Sequence, residues 1–140
     1  MAISFHTEDI RFILKEKRKI KAWIESCITS ERLHCGDIAI ILCSDDYLLK
    51  MNQTHLNHDF YTDIITFNYN STKISGDLFI SVDRVKDNAK TNQVSFENEI
   101  YRVIIHGVMH LCGYNDKKIS EKKQMKIQED KCLKKLKVKL

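Results

Sequence analysis

Residues 95–116 carry the pattern that most restricts this chain. Residues 95–112 read as a helix, and from Val103 to Cys112 the only ionisable side chains are His106, His110 and Cys112. Residues four apart on an α-helix point the same way, about 40° apart around the axis, so both imidazoles can close on one small cation. A run this apolar is expected to be buried, and buried imidazoles without partners are costly. A metal would partner both at once; the plain alternative is that each histidine donates to a backbone carbonyl in the core. Gly113 permits the left-handed turn that ends a helix, after which Asp116 can swing back as a third ligand. Three ligands leave a tetrahedral ion one open position, the mark of a catalytic rather than a structural site. Cys112 points to a different side of the helix from His110 and reads as a small core residue.

The offsets of His, plus four His, plus seven Gly and plus ten ligand copy the extended zincin pattern, here HxxxHxxGxxD. Zinc peptidases of that type place a general-base glutamate directly after the first histidine. This chain has Gly107 there, so amide cleavage is a weaker expectation than other metal-assisted hydrolysis.

These residues, preceded by Thr62-Asp63-Ile64-Ile65-Thr66-Phe67 and Gly76-Asp77-Leu78-Phe79-Ile80-Ser81, resemble the YbeY endoribonuclease family, also called rRNA maturation factors. The resemblance runs through nearly the whole chain. It implies a zinc-dependent, single-strand-specific endoribonuclease of ribosomal RNA maturation and ribosome quality control, with the ion on His106, His110 and Asp116. It also places the Thr62–Thr66 segment at the substrate groove, which makes Thr62, Asp63 and Thr66 expected RNA-contacting residues; Tyr114 joins them as an aromatic able to stack on a base. Ribosomal RNA, the small ribosomal subunit and its assembly factors are the implied partners.

The chain departs from the family pattern at three places. Many members carry His where Asp116 stands; a carboxylate lowers the formal charge of the site by one, which makes a bound water less acidic than in three-histidine zinc and favours harder ions such as Mn2+ more than before. An arginine associated with activity is replaced by Leu56, and no arginine occurs between Arg32 and Arg84. His55 and His58 are then the nearest cationic candidates, with His58 the one assigned a catalytic role, although both read first as ordinary exposed loop histidines. The proline after the Phe67 position is replaced by Asn68.

At 140 residues the chain fits one domain, 1–140, with a core but no room for two. A content of 43% hydrophobic and 30% charged residues is that of a soluble globule. No stretch approaches the roughly 20 apolar residues of a membrane helix, and no secretory signal opens the chain, so a cytoplasmic protein without a membrane partner is expected. Five cysteines, odd in number and without a Cys-x-x-Cys pair, indicate free thiols rather than a disulfide framework or zinc ribbon. Residues 117–140 hold ten lysines against Glu121, Glu129 and Asp130. Such a basic helix and tail can attract phosphate without reading sequence, or can be a solvated face. Nothing in the sequence speaks to oligomeric state.

The periodicity predicts α+β architecture: one small mixed four-stranded sheet covered by helices, with the metal-binding helix central. Strands are expected at 2–6, 37–43, 63–69 and 77–81, the last two joined by Asn70-Ser71-Thr72-Lys73 as a hairpin or loop. A first helix is expected from a Thr7 cap, with Glu8 and Asp9 in its opening turn, to about residue 26 or 29. Within it, Ile20, Trp23, Ile24, Cys27 and Ile28 form an apolar stripe. Further helices are expected from a Ser44 cap to near Asn52, from 82 to about 90, over 95–112, and from 119 to about 136. Asp63 and Asp77 open strands after turn-type residues, so turn chemistry competes with a binding role. Phe60, Tyr61, Phe67 and Tyr114 can stack on splayed bases, although Phe67 fits core packing better.

The expected activity is phosphodiester hydrolysis by a zinc-activated water without a protein base. Two alternatives are a metallohydrolase of another substrate, peptide or ester, and a non-enzymatic ribosome-associated protein with a structural metal. A non-haem iron enzyme uses the same ligand types, usually from strands rather than from one helix.

Overall fold

The computed structural model describes residues 2–136. The chain runs β1 (Ala2–Thr7), α1 (Lys17–Ser30), β2 (Cys35–Cys43), α2 (Asp45–Leu56), β3 (Ile64–Asn68), β4 (Ile74–Ser81), α3 (Val82–Asn92), α4 (Phe96–Leu111) and α5 (Ile119–Leu136). The strands form one mixed sheet in the order β1-β2-β4-β3, with β1, β2 and β4 parallel and β3 antiparallel to β4. The α+β class, the four strands and the helix cover are as the periodicity indicates.

Alternation along the strands sorts the core into two layers. Ile38, Ile40, Leu42, Leu78 and Ile80 face a large cluster completed by Ile20, Trp23, Ile24 and Ile28 of α1, the apolar side of α4, and Met125, Cys132 and Leu133 of α5. The opposite face sends Cys43 and Ile65 against Leu48 of α2, with Phe67 and Phe79 packed alongside. A parallel central strand buried on both faces explains why β2 reads as an almost unbroken apolar run.

α4 is the hub of the larger layer. Ile100, Val103, Ile104, Ile105, Val108 and Met109 are buried around it, and a helix apolar nearly all round belongs inside a fold. Its ends are marked by local chemistry: Ser95 Oγ accepts from the Asn98 amide at 3.0 Å, and Gly113 follows with φ +106°. Gly107 is the point of closest approach to the sheet. A Cβ there would lie 2.6 Å from Ile64 Cδ1 and 3.0 Å from Leu78 Cδ2.

The first helix is shorter than expected. β1 continues through Thr7, and the Glu8 amide donates to the Leu42 carbonyl at 2.9 Å. Asp9 takes positive φ, and its carboxylate accepts from the Ser44 amide at 3.0 Å and the Ser44 hydroxyl at 2.5 Å. It thereby serves the start of α2, not a helix of its own. Ile10, Phe12 and Leu14 then pack against the core at a period of two, Phe12 meeting Phe96 with ring centroids 5.6 Å apart, while Ile13 stays 82% exposed. That alternation is incompatible with a helical period, so α1 begins only at Lys17. Elsewhere the ends differ by a few residues: α2 runs on to Leu56 before Asn57 turns left-handed, and β4 begins at Ile74.

Candidate metal centre

His106 and His110 project from adjacent turns of α4, and Asp116 returns to them after the Gly113 turn. His106 Nε2 and His110 Nε2 are 3.0 Å apart, and Asp116 Oδ2 lies 3.2 Å from the first and 3.4 Å from the second. Among the described residues no fourth His, Cys, Asp or Glu donor joins the three. The side chains are 24%, 25% and 39% exposed, so the group opens to solvent on one side.

The other nitrogen of each ring is already engaged. His110 Nδ1 donates to the Tyr114 carbonyl at 2.9 Å, and since a carbonyl only accepts, Nδ1 carries the hydrogen and Nε2 the lone pair. His106 Nδ1 meets Glu129 Oε2 at 2.6 Å, which fixes the same tautomer in a neutral ring. Two imidazole lone pairs and a carboxylate oxygen therefore converge within 3.4 Å, an arrangement that repels itself and that a cation resolves. Bonds of about 2.0–2.1 Å to a tetrahedral ion give ligand separations of about 3.3–3.4 Å, close to those present. The donor set fits a divalent ion.

Glu129 is the second layer of the site. It is buried, and its other oxygen accepts from Arg102 Nη1 at 2.8 Å, while Arg102 Nη2 reaches Asp130 at 2.7 Å. Burial alone disfavours a protonated His106, but the Glu129 hydrogen bond and the negative charges of Glu129, Asp116 and Asp63 outweigh it and raise its pKa. The same field attracts a metal cation. Cys112 plays no part: burial pushes its thiol up to about 12, and it packs at the edge of the core.

A cleft of about 650 Å³ leads to the three donors. Thr62, Asp63 and Thr66 line it together with Leu56, His58 and Phe60. His58 stacks on Phe60 at 5.0 Å, and Phe60 is 55% exposed. Burial raises the Asp63 carboxyl above its ordinary pKa against the pull of His106, and Asn88 donates to it at 3.2 Å. Tyr114 is not brought there by its ring. Its hydroxyl donates to Glu31 and its ring packs against the core on another side, beside Cys112 and Gly113; only its carbonyl serves the centre. Tyr61 lies under the Arg84 guanidinium, 5.4 Å from the ring centre, and Phe67 is edge-on to Phe79 in the smaller cluster.

A family model described as Endoribonuclease YbeY matches residues 2–137. The chain belongs to the YbeY endoribonuclease family. Relatives named Endoribonuclease YbeY include one from Parabacteroides distasonis, 45% identical over 134 residues that cover 95% of this chain and 94% of that protein. Another, from Flavobacterium psychrophilum, is 46% identical over 133 residues, 94% of each chain. A third, from Bacteroides thetaiotaomicron, is 43% identical over 134 residues, 95% of this chain and 98% of its own. In fold, the chain is similar to the solution structure of TM1509 from Thermotoga maritima, with a TM-score of 0.67 and 24% identity over 96% of this chain and 89% of that one.

For this YbeY-family chain the structure also explains the missing base. Position 107 faces β3 and β4 rather than the ligands, so a glutamate there would drive into the sheet. Glu129, Arg102 and Lys117, the last at the cleft rim, are the residues sequence reading passed over. Glu129 and Arg102 are 27 residues apart in the chain, and no local spacing unites them. The visible signal was a pair of acids, Glu129 and Asp130, inside an otherwise lysine-rich helix.

Proposed function

We propose that this chain is a zinc-dependent, single-strand-specific endoribonuclease acting on ribosomal RNA during maturation and quality control of the small ribosomal subunit. The observation that carries the reading is the convergence of His106, His110 and Asp116 at the end of an open cleft, with no fourth donor among the described residues. Family membership supplies the ribonuclease activity named for the relatives. The substrate reading makes the small subunit and its assembly factors the natural partners and the cytoplasm the working compartment. No helix among the described residues is long and apolar enough to cross a membrane.

Zinc suits a site of two imidazoles and a carboxylate, with Mn2+ the nearest competitor because of the oxygen ligand. Such an ion, when bound by His106, His110 and Asp116, supplies Lewis acidity toward a phosphodiester oxygen and lowers the pKa of a coordinated water. Glu129 and the Tyr114 carbonyl hold the two rings in the tautomer that points Nε2 at the cleft. Thr62 and Thr66 offer hydroxyls along the cleft wall, and Asp63 a carboxyl whose pKa burial raises above its ordinary value. His58 and Phe60 present a stacked, exposed aromatic pair for an unpaired base. His58 also lines the cleft together with Leu56, the position where the resemblance places an arginine. A stack on splayed bases is available only in a single strand, which accounts for the proposed selectivity.

The test is elemental analysis of protein purified without chelator, followed by cleavage of single-stranded and duplex RNA by parent and His106→Ala. Zinc near one equivalent, cleavage of the single strand, and loss of both in the variant are expected. A metal-free variant that cuts RNA at the parent rate would sink the assignment. Product ends report the nucleophile, since attack by the ribose 2′-OH leaves a 2′,3′-cyclic phosphate and attack by water does not.

A further inference from the structure

The metal centre stands where two clefts meet. Beyond His106 and Asp116 a second cleft of about 560 Å³, lined by none of residues 62–66, opens between the end of α3, the first turns of α4 and α5. Its volume lies within the range of about 300–1,000 Å³ typical of ligand sites. The two clefts have His106 and Asp116 in common and no other residue. An endonuclease cuts an internal bond, so its substrate continues on both sides of the scissile phosphate. A strand lying in the first cleft and crossing the donors reaches the second at His106 and Asp116.

From this geometry we infer that the second cleft is a nucleotide subsite of single-stranded RNA, holding the residue on the far side of the cut and gripping its flanking phosphate with Lys122 and Lys126. The inference rests on the nuclease reading above and extends it.

Lys122 and Lys126 lie one turn apart on α5 and share a face. Both are exposed, and neither joins an ion pair among the described residues, whereas Arg102 in the same cleft is committed to Glu129 and Asp130. The interior matches a nucleoside more than a phosphate. Asn98 and Glu99 are buried polar residues, able to meet the donors and acceptors of a base edge, and Met125 and Val94 supply apolar surface beside them. Burial also raises the Glu99 carboxyl above its ordinary value.

The test measures binding of a short, labelled single-stranded RNA to zinc-loaded protein by fluorescence anisotropy across a salt series, with cleavage assayed in parallel. Variants are K122A/K126A, the charge-restoring K122R/K126R, and K15A/K19A as a control for net charge at a remote surface. K122A/K126A is expected to weaken binding about tenfold and to shrink the salt slope by about 0.7, the value for one phosphate neutralised on a single strand. K122R/K126R is expected to restore both, and K15A/K19A to leave the slope near parent. Zinc content and circular dichroism verify that each variant is folded and loaded. Unchanged affinity and slope in K122A/K126A, or an equal loss in K15A/K19A, overturns the subsite. Failure of the parent to cut RNA overturns the nuclease reading instead, and the binding comparison still decides whether the lysines hold a strand.

Discussion

The two sides of the candidate metal centre are built differently. His106 and His110 grow from a helix packed on nearly every side, and the back nitrogen of each ring is tied down, one to Glu129 and one to the Tyr114 carbonyl. Asp116 sits on the short turn between α4 and α5, 39% exposed, and its described contacts are the two histidines themselves. The helix side is preorganised: its rings need lose little freedom when an ion arrives. The loop side depends on the ion, or on the histidines, to hold it in place. Position is therefore set by α4, and Asp116, the candidate third ligand, is the place where the chemistry of the site can be tuned.

Substitutions rank the two sides. The largest effect is expected for His110→Ala, which removes one of two rigid donors: zinc is lost from the purified protein and RNA cleavage falls to background, read by elemental analysis and a gel assay. Asp116→Ala is expected to weaken zinc binding less, and Asp116→His to restore it, as titration against a metal indicator would measure. If Asp116→Ala lowers affinity as much as His110→Ala, the distinction between a rigid and a tunable side fails. Glu129→Gln keeps the shape but removes the charge behind His106, and zinc affinity is expected to fall about 10–100-fold. No change in that variant would mean that ring orientation comes from packing alone.

Stability sharpens the contrast further. Gly107→Ala places a methyl against Ile64 and Leu78, and thermal or urea unfolding is expected to show a loss of about 1–3 kcal/mol. Gly113→Ala meets no neighbour within 4 Å, so its cost comes only from a φ of +106° that a side chain resists, of order 1–3 kcal/mol. The smaller loss is expected there if the loop can relax. Zinc affinity separates them as well, falling more for Gly113→Ala, because Asp116 depends on that turn.

The ribonuclease motif was legible because helical geometry is local. Two histidines four apart, a glycine and a following carboxylate determine a shared face and a reversal whatever surrounds them, and caps such as Ser95 and Ser44 mark helix starts through hydrogen bonds to residues three positions on. The apolar stripe of α1 likewise announced burial through its period. Residues 8–16 were misjudged for the converse reason. Glu8 and Asp9 are good first-turn residues in isolation, but Asp9 bonds Ser44, 35 residues away, and the alternating Ile10, Phe12 and Leu14 answer to the core.

What the amino-acid order determined by itself was the grouping of the three candidate donors, the helix that carries two of them, and the mixed α and β content, because each rests on contacts within about a dozen residues. The tertiary fold alone decided that Glu129 and Arg102 stand behind His106, that Tyr114 turns its ring toward Glu31, that position 107 abuts the sheet, and that two clefts meet at the donors. Those features join residues far apart in the chain, and long-range packing selects among rotamers and surfaces that local preferences leave equally open.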